Sequence, residues 1–178
     1  MSEIRNDWKL EEVIKLFNMP FNELLFEAHE THINNHKKDM VQVCTLLSIK
    51  TGGCPEDCGY CSQSIHSDDP IEATPLMSLE EVGKKAKIAR DQGSTRFCMG
   101  AAWRRPSNKN IDRVIKMIDV VHNLGMESCV TLGMLSEDQA IRLSKSGLNY
   151  YNHNIDTSRE HYTKVISTRN YQDRLNTL

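Results

Sequence analysis

Short apolar runs alternate with capped amphipathic helices along most of this chain, and that alternation constrains its fold more than any other feature. The run at 43–49 reads as a first strand. Ser78-Leu79-Glu80-Glu81 then forms a capping box, in which the serine accepts from the first helical turn and Glu81 returns a hydrogen bond. Gly93 stops that helix, and Thr95-Arg96-Phe97-Cys98-Met99 reads as the second strand. Asn110-Ile111-Asp112 opens a helix with apolar residues at Val114, Ile115, Ile118, Val121 and Leu124, ended by Gly125. Glu127 to Leu132 is the third strand, and Ser136-Glu137-Asp138-Gln139 is a second capping box whose helix ends at Gly147. Leu148 to Asn154 reads as the fourth strand, and a last helix begins near Asn170. Four strands alternating with helices predict a parallel sheet with right-handed crossovers. The spacing suits a (βα) barrel, and no G-x-G-x-x-G follows the first strand, as a dinucleotide-binding doubly wound sheet would require.

Ahead of the repeat, residues 8–36 read as two helical pieces broken at Asn18-Met19-Pro20. The organisation expected is a helical extension over 1–40 followed by a barrel domain over 41–178. His29, His32 and His36 fall near one face of the second piece; without a carboxylate partner motif they read as solvated histidines rather than a metal site.

The net charge of -2, with no long block of one sign, gives no electrostatic support to binding of nucleic acid or acidic membranes. No apolar stretch approaches the roughly 20 residues of a membrane span. Met1 to Trp8 has no apolar region of the kind an export signal carries, so a cytoplasmic location is expected. Six cysteines in that setting point to a reducing compartment, where thiols serve metals or catalysis.

Three of those cysteines fall within eight residues, Cys54-Pro55-Glu56-Asp57-Cys58-Gly59-Tyr60-Cys61, directly after the first strand. Iron–sulfur clusters are held by thiolates at short, irregular spacings, and C-x3-C-x2-C is such a spacing. Structural zinc wants four ligands and commonly paired C-x2-C motifs; His66 offers a fourth ligand, but no second pair is present. The spacing favours a cluster and leaves zinc open. Three thiolates leave one coordination position vacant, and Tyr60 would lie near anything bound there.

In a barrel, active-site residues sit at the C-terminal ends of strands. By this reading Cys54/Cys58/Cys61, Cys98, Cys129 and Asn152/Asn154/Asp156 all occupy one rim. Arg96 shares a strand face with Cys98, where a cation near thiolates would favour metal ligation. Cys98 and Cys129 read equally as buried small hydrophobes or as a second metal site. Cys44, at the start of the first strand, reads as buried filler on the opposite rim. Asn152, Asn154 and Asp156 alternate, so all three should face the barrel mouth as ligand contacts, with His153 pointing away. Gly100-Ala101-Ala102-Trp103 lets backbone approach a ligand closely.

Taken together these residues resemble the biotin synthase family of radical S-adenosylmethionine (SAM) enzymes. The resemblance rests on Ser48 to Cys61, on Gly93 to Trp103 and on Tyr150 to Ser158, and it extends over essentially the whole chain. The three-cysteine loop alone would indicate only the superfamily; the other two blocks select the family. The resemblance implies the radical SAM (β/α)8 fold, of which this chain would hold about the first four units. It implies that Cys54, Cys58 and Cys61 ligate a [4Fe–4S] cluster and that Cys98 and Cys129 are two ligands of a [2Fe–2S] cluster, with Arg96 beside them. Tyr60, Ala101, Ala102, Trp103, Asn154, Asp156 and Arg174 look like SAM contacts, and Asn152 a contact to dethiobiotin. The implied reaction inserts sulfur into dethiobiotin by way of a 5′-deoxyadenosyl radical. An electron donor such as flavodoxin or ferredoxin and a homodimer are the implied partners. The family's chain is about twice as long, and the rest of the second cluster's ligand set would come from later strands. The expectation is therefore an incomplete, inactive half. Another radical SAM barrel enzyme with a different substrate, or a non-catalytic zinc or iron–sulfur module, are the competing readings.

Overall fold

The computed structural model describes residues 5–178, which fall into two compact units that divide between Val41 and Gln42. The first holds α1 (Leu10–Phe17) and α2 (Phe21–Asn35), separated at Asn18-Met19-Pro20, and neither helix has a buried residue. His32 and His36 stack on one another, with ring centroids 5.5 Å apart.

The second unit is the βα repeat. It runs β1 (Cys44–Lys50), α3 (Leu79–Asp91), β2 (Arg96–Ala101), α4 (Asn108–Asn123), β3 (Glu127–Thr131), α5 (Glu137–Lys145) and β4 (Tyr150–Tyr151). Two short helices follow, α6 (Tyr162–Val165) and α7 (Tyr171–Leu175). The strands form one four-stranded parallel sheet in sequential order, so β1 and β4 are its edges. Both capping boxes form: Ser78 accepts from the Glu81 amide at 3.2 Å, and Ser136 from the Gln139 amide at 3.3 Å.

Strand alternation explains why helices cover one face only. Ile49, Phe97, Met99 and Val130 point outward and are buried against Val82, Ala86, Val114, Ile118 and Leu143 of the three helices. Burying each large apolar side chain there contributes roughly 1.5–3 kcal/mol, so most of the core lies on this face. A doubly wound sheet would carry helices on both faces; one-sided cover with sequential order is the beginning of a barrel wall. The opposite face carries Cys44, Leu46, Ser48 and Lys50 from β1, Arg96, Cys98 and Gly100 from β2, and Glu127, Cys129 and Thr131 from β3.

Three expectations change. The helix expected to open at Asn110 begins two residues earlier, at Asn108, because Ser107 caps it by accepting from the Asn110 amide at 3.2 Å. The fourth strand shrinks to Tyr150–Tyr151, paired with Cys129 and Val130; beyond Asn152, whose amide still donates to Val130, the chain leaves the sheet. The largest change concerns levels along the strands. Cys98 pairs with Leu46 and with Cys129, in mid-strand, two residues below the level of Ser48, Gly100 and Thr131. The two cysteines therefore do not lie on the rim with the three-cysteine loop. Cys44 pairs with Arg96, only two residues below Cys98, and it is exposed. It is neither buried filler nor remote from the other thiols.

Candidate radical-generating site

The three-cysteine loop leaves β1 through two glycines in the left-handed region, Gly52 at φ 58° and Gly53 at φ 66°. A Cβ on Gly52 would collide with the carbonyls of Ile71 and Glu72, so only glycine fits. Lys50 folds back over this turn and donates to the Gly52 carbonyl and, at 3.1 Å, to that of Ala102. The loop then closes on itself: Cys54 N–H donates to Gln63 O at 3.0 Å, Ile65 N–H to Cys54 O at 3.0 Å and Cys61 N–H to Cys58 O at 2.9 Å. On the β3 side, Gly133 at φ 84° lets that exit pass against the Trp103 and Arg104 carbonyls, where a Cβ would not fit.

The residues between the cysteines anchor the loop to a segment more than 100 positions later. Asp57 accepts from the amides of Ser167, at 2.9 Å, and Thr168, at 3.1 Å, and from both hydroxyls. These bonds, led by the Ser167 hydroxyl, hold its carboxyl far below the usual range. Gly59 N–H donates to Val165 O at 3.0 Å. The anchor delivers Arg169, whose side chain is 3% exposed. Its guanidinium pairs with Glu56 at 3.0 Å and Asp156 at 3.1 Å, donates to the Tyr162 hydroxyl at 3.0 Å and stands 3.2 Å from Cys58 Sγ. The Glu56 side chain is equally buried; its second oxygen lies 3.2 Å from Arg104 Nε.

Asp156 is the other hub. Tyr60 donates to it at 2.5 Å and Arg174 Nε at 2.7 Å, alongside the Arg169 pair. Burial pushes this carboxyl up, but the Tyr60 hydroxyl and the two guanidiniums outweigh it and hold it below its ordinary value. Its backbone sits at φ 74°, an unusual conformation that aspartate tolerates and that the three partners over-determine. Burial, with Asp156 as hydrogen-bond acceptor, raises the Tyr60 phenol well above its usual range, so it stays a donor.

These parts enclose a cleft of about 280 Å³ at the C-terminal end of the sheet. It is lined by Cys54, Cys58, Cys61, Tyr60, Ala101, Ala102, Trp103, Asn154, Asp156 and Arg174, which brings the loop together with every residue expected to contact SAM. Ser48, Lys50, Glu56, Gln63, Gly100, Arg104, Thr131, Gly133, His153 and Arg169 complete the wall. Cys98, Cys129 and Asn152 are outside it; Asn152 donates at 3.2 Å to the Oγ1 of Thr131, which lines the cleft. His153, expected to point away, lines the cleft with Nε2 3.5 Å from Arg174 Nη1, because strand alternation ends at Tyr151. Burial and the Arg174 charge lower it to about 4, so it is neutral at pH 7.

Arg169 and Glu56 escaped the sequence reading. Glu56 sits between two cysteines, so its position was a usable signal. Arg169 had none, since 111 residues separate it from the Cys58 thiol it faces.

A second thiol group lies deeper on the inner face. Cys44 Sγ and Cys98 Sγ are 3.3 Å apart, and Cys129 is the register partner of Cys98 on the next strand. Burial raises the Cys54, Cys58, Cys44 and Cys98 thiols; Arg169 opposes the shift at Cys58, and Arg96 at Cys44 and Cys98. All six cysteines are free thiols.

Residues 48–178 match the Radical SAM superfamily. The chain belongs to that superfamily. Curated relatives are consistent with this membership. Over 178 residues the chain is 58% identical to a biotin synthase of Ruthia magnifica subsp. Calyptogena magnifica and 57% identical to one of Thioalkalivibrio sulfidiphilus, covering all of this chain and 55% and 52% of theirs. It thus spans about half the length of the curated relatives it matches. Methylornithine synthase (PylB), at 16% identity, shares the fold, with a TM-score of 0.75 over 96% of this chain and 52% of that one. The four βα units are accordingly part of a radical SAM barrel wall. Membership implies SAM and an iron–sulfur cluster as cofactors. The donor chemistry here fits both: three free, half-buried thiols on one loop face a cleft whose wall offers cations and a carboxylate. Among the described residues no helix is long and apolar enough to cross a membrane.

Proposed function

We propose that this chain is the cluster- and SAM-binding half of a biotin synthase, acting in the cytoplasm. The reading rests on one observation: the cysteine loop and all seven expected SAM contacts line a single cleft. Cys54, Cys58 and Cys61 would hold a [4Fe–4S] cluster. The bound cofactors supply one-electron cleavage of SAM to methionine and a 5′-deoxyadenosyl radical.

This chain's own residues bind and orient. Asp156, kept ionised by Arg169 and Arg174, offers a carboxylate that accepts ribose or amino hydrogens. Arg174 and Arg104 supply positive charge toward a carboxylate, and the small side chains of Ala101 and Ala102 leave room beside Trp103 for a flat ring. Tyr60, held protonated, fixes the far side of Asp156. The Glu56–Arg169 pair sets the field at Cys58 and screens it from solvent. Cys98 and Cys129 would hold a [2Fe–2S] cluster as the sulfur source, and Asn152 would contact dethiobiotin between the two levels. Flavodoxin or ferredoxin would supply the electron, and the whole enzyme would be a homodimer.

Anaerobic reconstitution with iron and sulfide, followed by SAM and dithionite, tests the reading. The isolated chain should form 5′-deoxyadenosine and methionine without making biotin from dethiobiotin. A colourless protein carrying stoichiometric zinc would overturn the cluster assignment, and biotin formation would overturn its being half of an enzyme.

A further inference from the structure

We propose that Arg169 is a positioning residue that couples occupancy of the SAM side of the cleft to reduction of the loop cluster, through one guanidinium nitrogen shared by Cys58 and Asp156. The inference rests on the reading that Cys58 ligates a cluster and that SAM lies against Asp156. It adds a link between the two, carried by a residue outside the expected ligands and SAM contacts.

The three guanidinium nitrogens face different partners. Nε donates to the Tyr162 hydroxyl at 3.0 Å, and Nη1 lies 3.0 Å from the Glu56 carboxylate. Nη2 donates to two groups, Cys58 Sγ at 3.2 Å and Asp156 Oδ2 at 3.1 Å. Its pair of N–H groups is thus divided between a thiol and a carboxylate. The side chain is buried, so water does not level the competition, and hydrogen bonds in such surroundings polarise one another. Nor can Arg169 retreat from the loop. It follows Thr168 directly, and the Thr168 amide is held by Asp57, the residue before Cys58.

The direction of the coupling follows from charge. Hydrogen bonds and positive charge at a cluster's sulfurs stabilise its reduced, more negative form. The guanidiniums of Arg104, Arg169 and Arg174 pair with only two carboxylates, Glu56 and Asp156, which leaves positive charge to spare beside the thiols. A ligand hydroxyl or amine that donates to Asp156 offsets part of the carboxylate's charge. Nη2 then turns more of its pull on Cys58, and the cluster accepts its one electron more readily. By linkage, the reduced cluster binds such a ligand more tightly by the same factor. Lysine in this place would keep the charge but not the fork, since one ammonium nitrogen cannot serve four partners in these directions.

The test uses the full 178-residue chain as Cys98→Ala, so that the loop cluster is read alone, reconstituted anaerobically without SAM. Its reduction by dithionite is followed by electron paramagnetic resonance against potential. Arg169→Lys should lower the equilibrium constant for reduction about tenfold, about 59 mV for one electron. Asp156→Asn, which weakens the carboxylate's hold on Nη2, should raise that constant about threefold while Arg169 is present, and much less in the Arg169→Lys chain. If the two shifts simply add, or Arg169→Lys causes none, Arg169 does not couple the sites, although the cluster reading stands. If Arg169→Lys takes up no cluster, the chain with Arg169 intact decides. Grown on isotopically labelled arginine, its reduced cluster should show a guanidinium-nitrogen coupling in pulsed spectra that strengthens in Asp156→Asn. A coupling that is absent, or indifferent to that change, overturns the inference. A chain that forms no cluster at all overturns the reading beneath it, and the inference with it.

Discussion

The two thiol groups of this protein are built by opposite means. The loop group, Cys54, Cys58 and Cys61, stands on irregular backbone, and side chains from far along the sequence hold it in place. Asp57 grips the Ser167 and Thr168 amides, and Arg169 ties Cys58 to Glu56 and Asp156. The inner group, Cys44, Cys98 and Cys129, has no such scaffold; strand register alone sets its spacing. The first arrangement holds three thiols at a cleft mouth. The second places sulfur where a barrel interior would be filled.

The largest expected effect separates the groups outright. Cys58→Ala should abolish the loop cluster, read as loss of its iron, sulfide and visible absorption, whereas Cys98→Ala should leave that cluster intact. If Cys98→Ala removed it, the two groups would be one site. Next is Arg169→Ala, which takes the shared guanidinium from two buried carboxylates. Breaking a buried pair in this way costs roughly 3–5 kcal/mol, measured by urea unfolding, and the loop cluster should be lost with it. Arg96→Ala, in the half-exposed pair beside the inner group, should cost about 1 kcal/mol or less.

A further effect follows from pH. Native His153 is lowered to about 4, against an ordinary value near 6.5, so between these values the unfolded chain binds the extra proton. Stability should be fullest above about pH 6.5 and fall as pH drops toward 4, by about 1–2 kcal/mol given partial exposure. Asp156, held below its ordinary value, adds a further loss as pH falls through that lower value. His153→Gln should flatten the upper part of the curve in pH-dependent urea melts. A curve unchanged by this substitution would mean the imidazole is not the group responsible. Comparable with Arg96→Ala is Ser136→Ala, which removes the α5 cap at about 1 kcal/mol and should leave both thiol groups' metal content untouched.

How much of this the sequence disclosed follows from the range of each interaction. Caps such as Ser78 with Glu81 and Ser136 with Gln139 are settled within four residues, so they were legible. The cysteine loop was legible as a motif, and strand ends following helix stops put it at one end of the sheet. The error over Cys44 arose because periodicity gives the face of a strand but not its offset against the next. Register is a tertiary fact, and here it brings the start of β1 level with the lower half of β2. The short β4 misled the reading of His153 for a related reason: alternation was extended past the last residue that pairs. Arg169 was out of reach of any local rule, since its partners come from β1's exit loop and from Asp156.

The grip of Asp57 on Ser167 and Thr168 has a consequence for anyone wishing to transplant this chemistry. The octapeptide Cys54 to Cys61 is not a portable cassette. Moved alone onto another scaffold it would keep its three sulfurs and its glycine, but its aspartate would have no amides to accept from and its second cysteine no guanidinium beside it. Any transferable unit includes at least two strips of sequence, Gly52 to Ile65 and Ile155 to Arg174, carried together at their native separation.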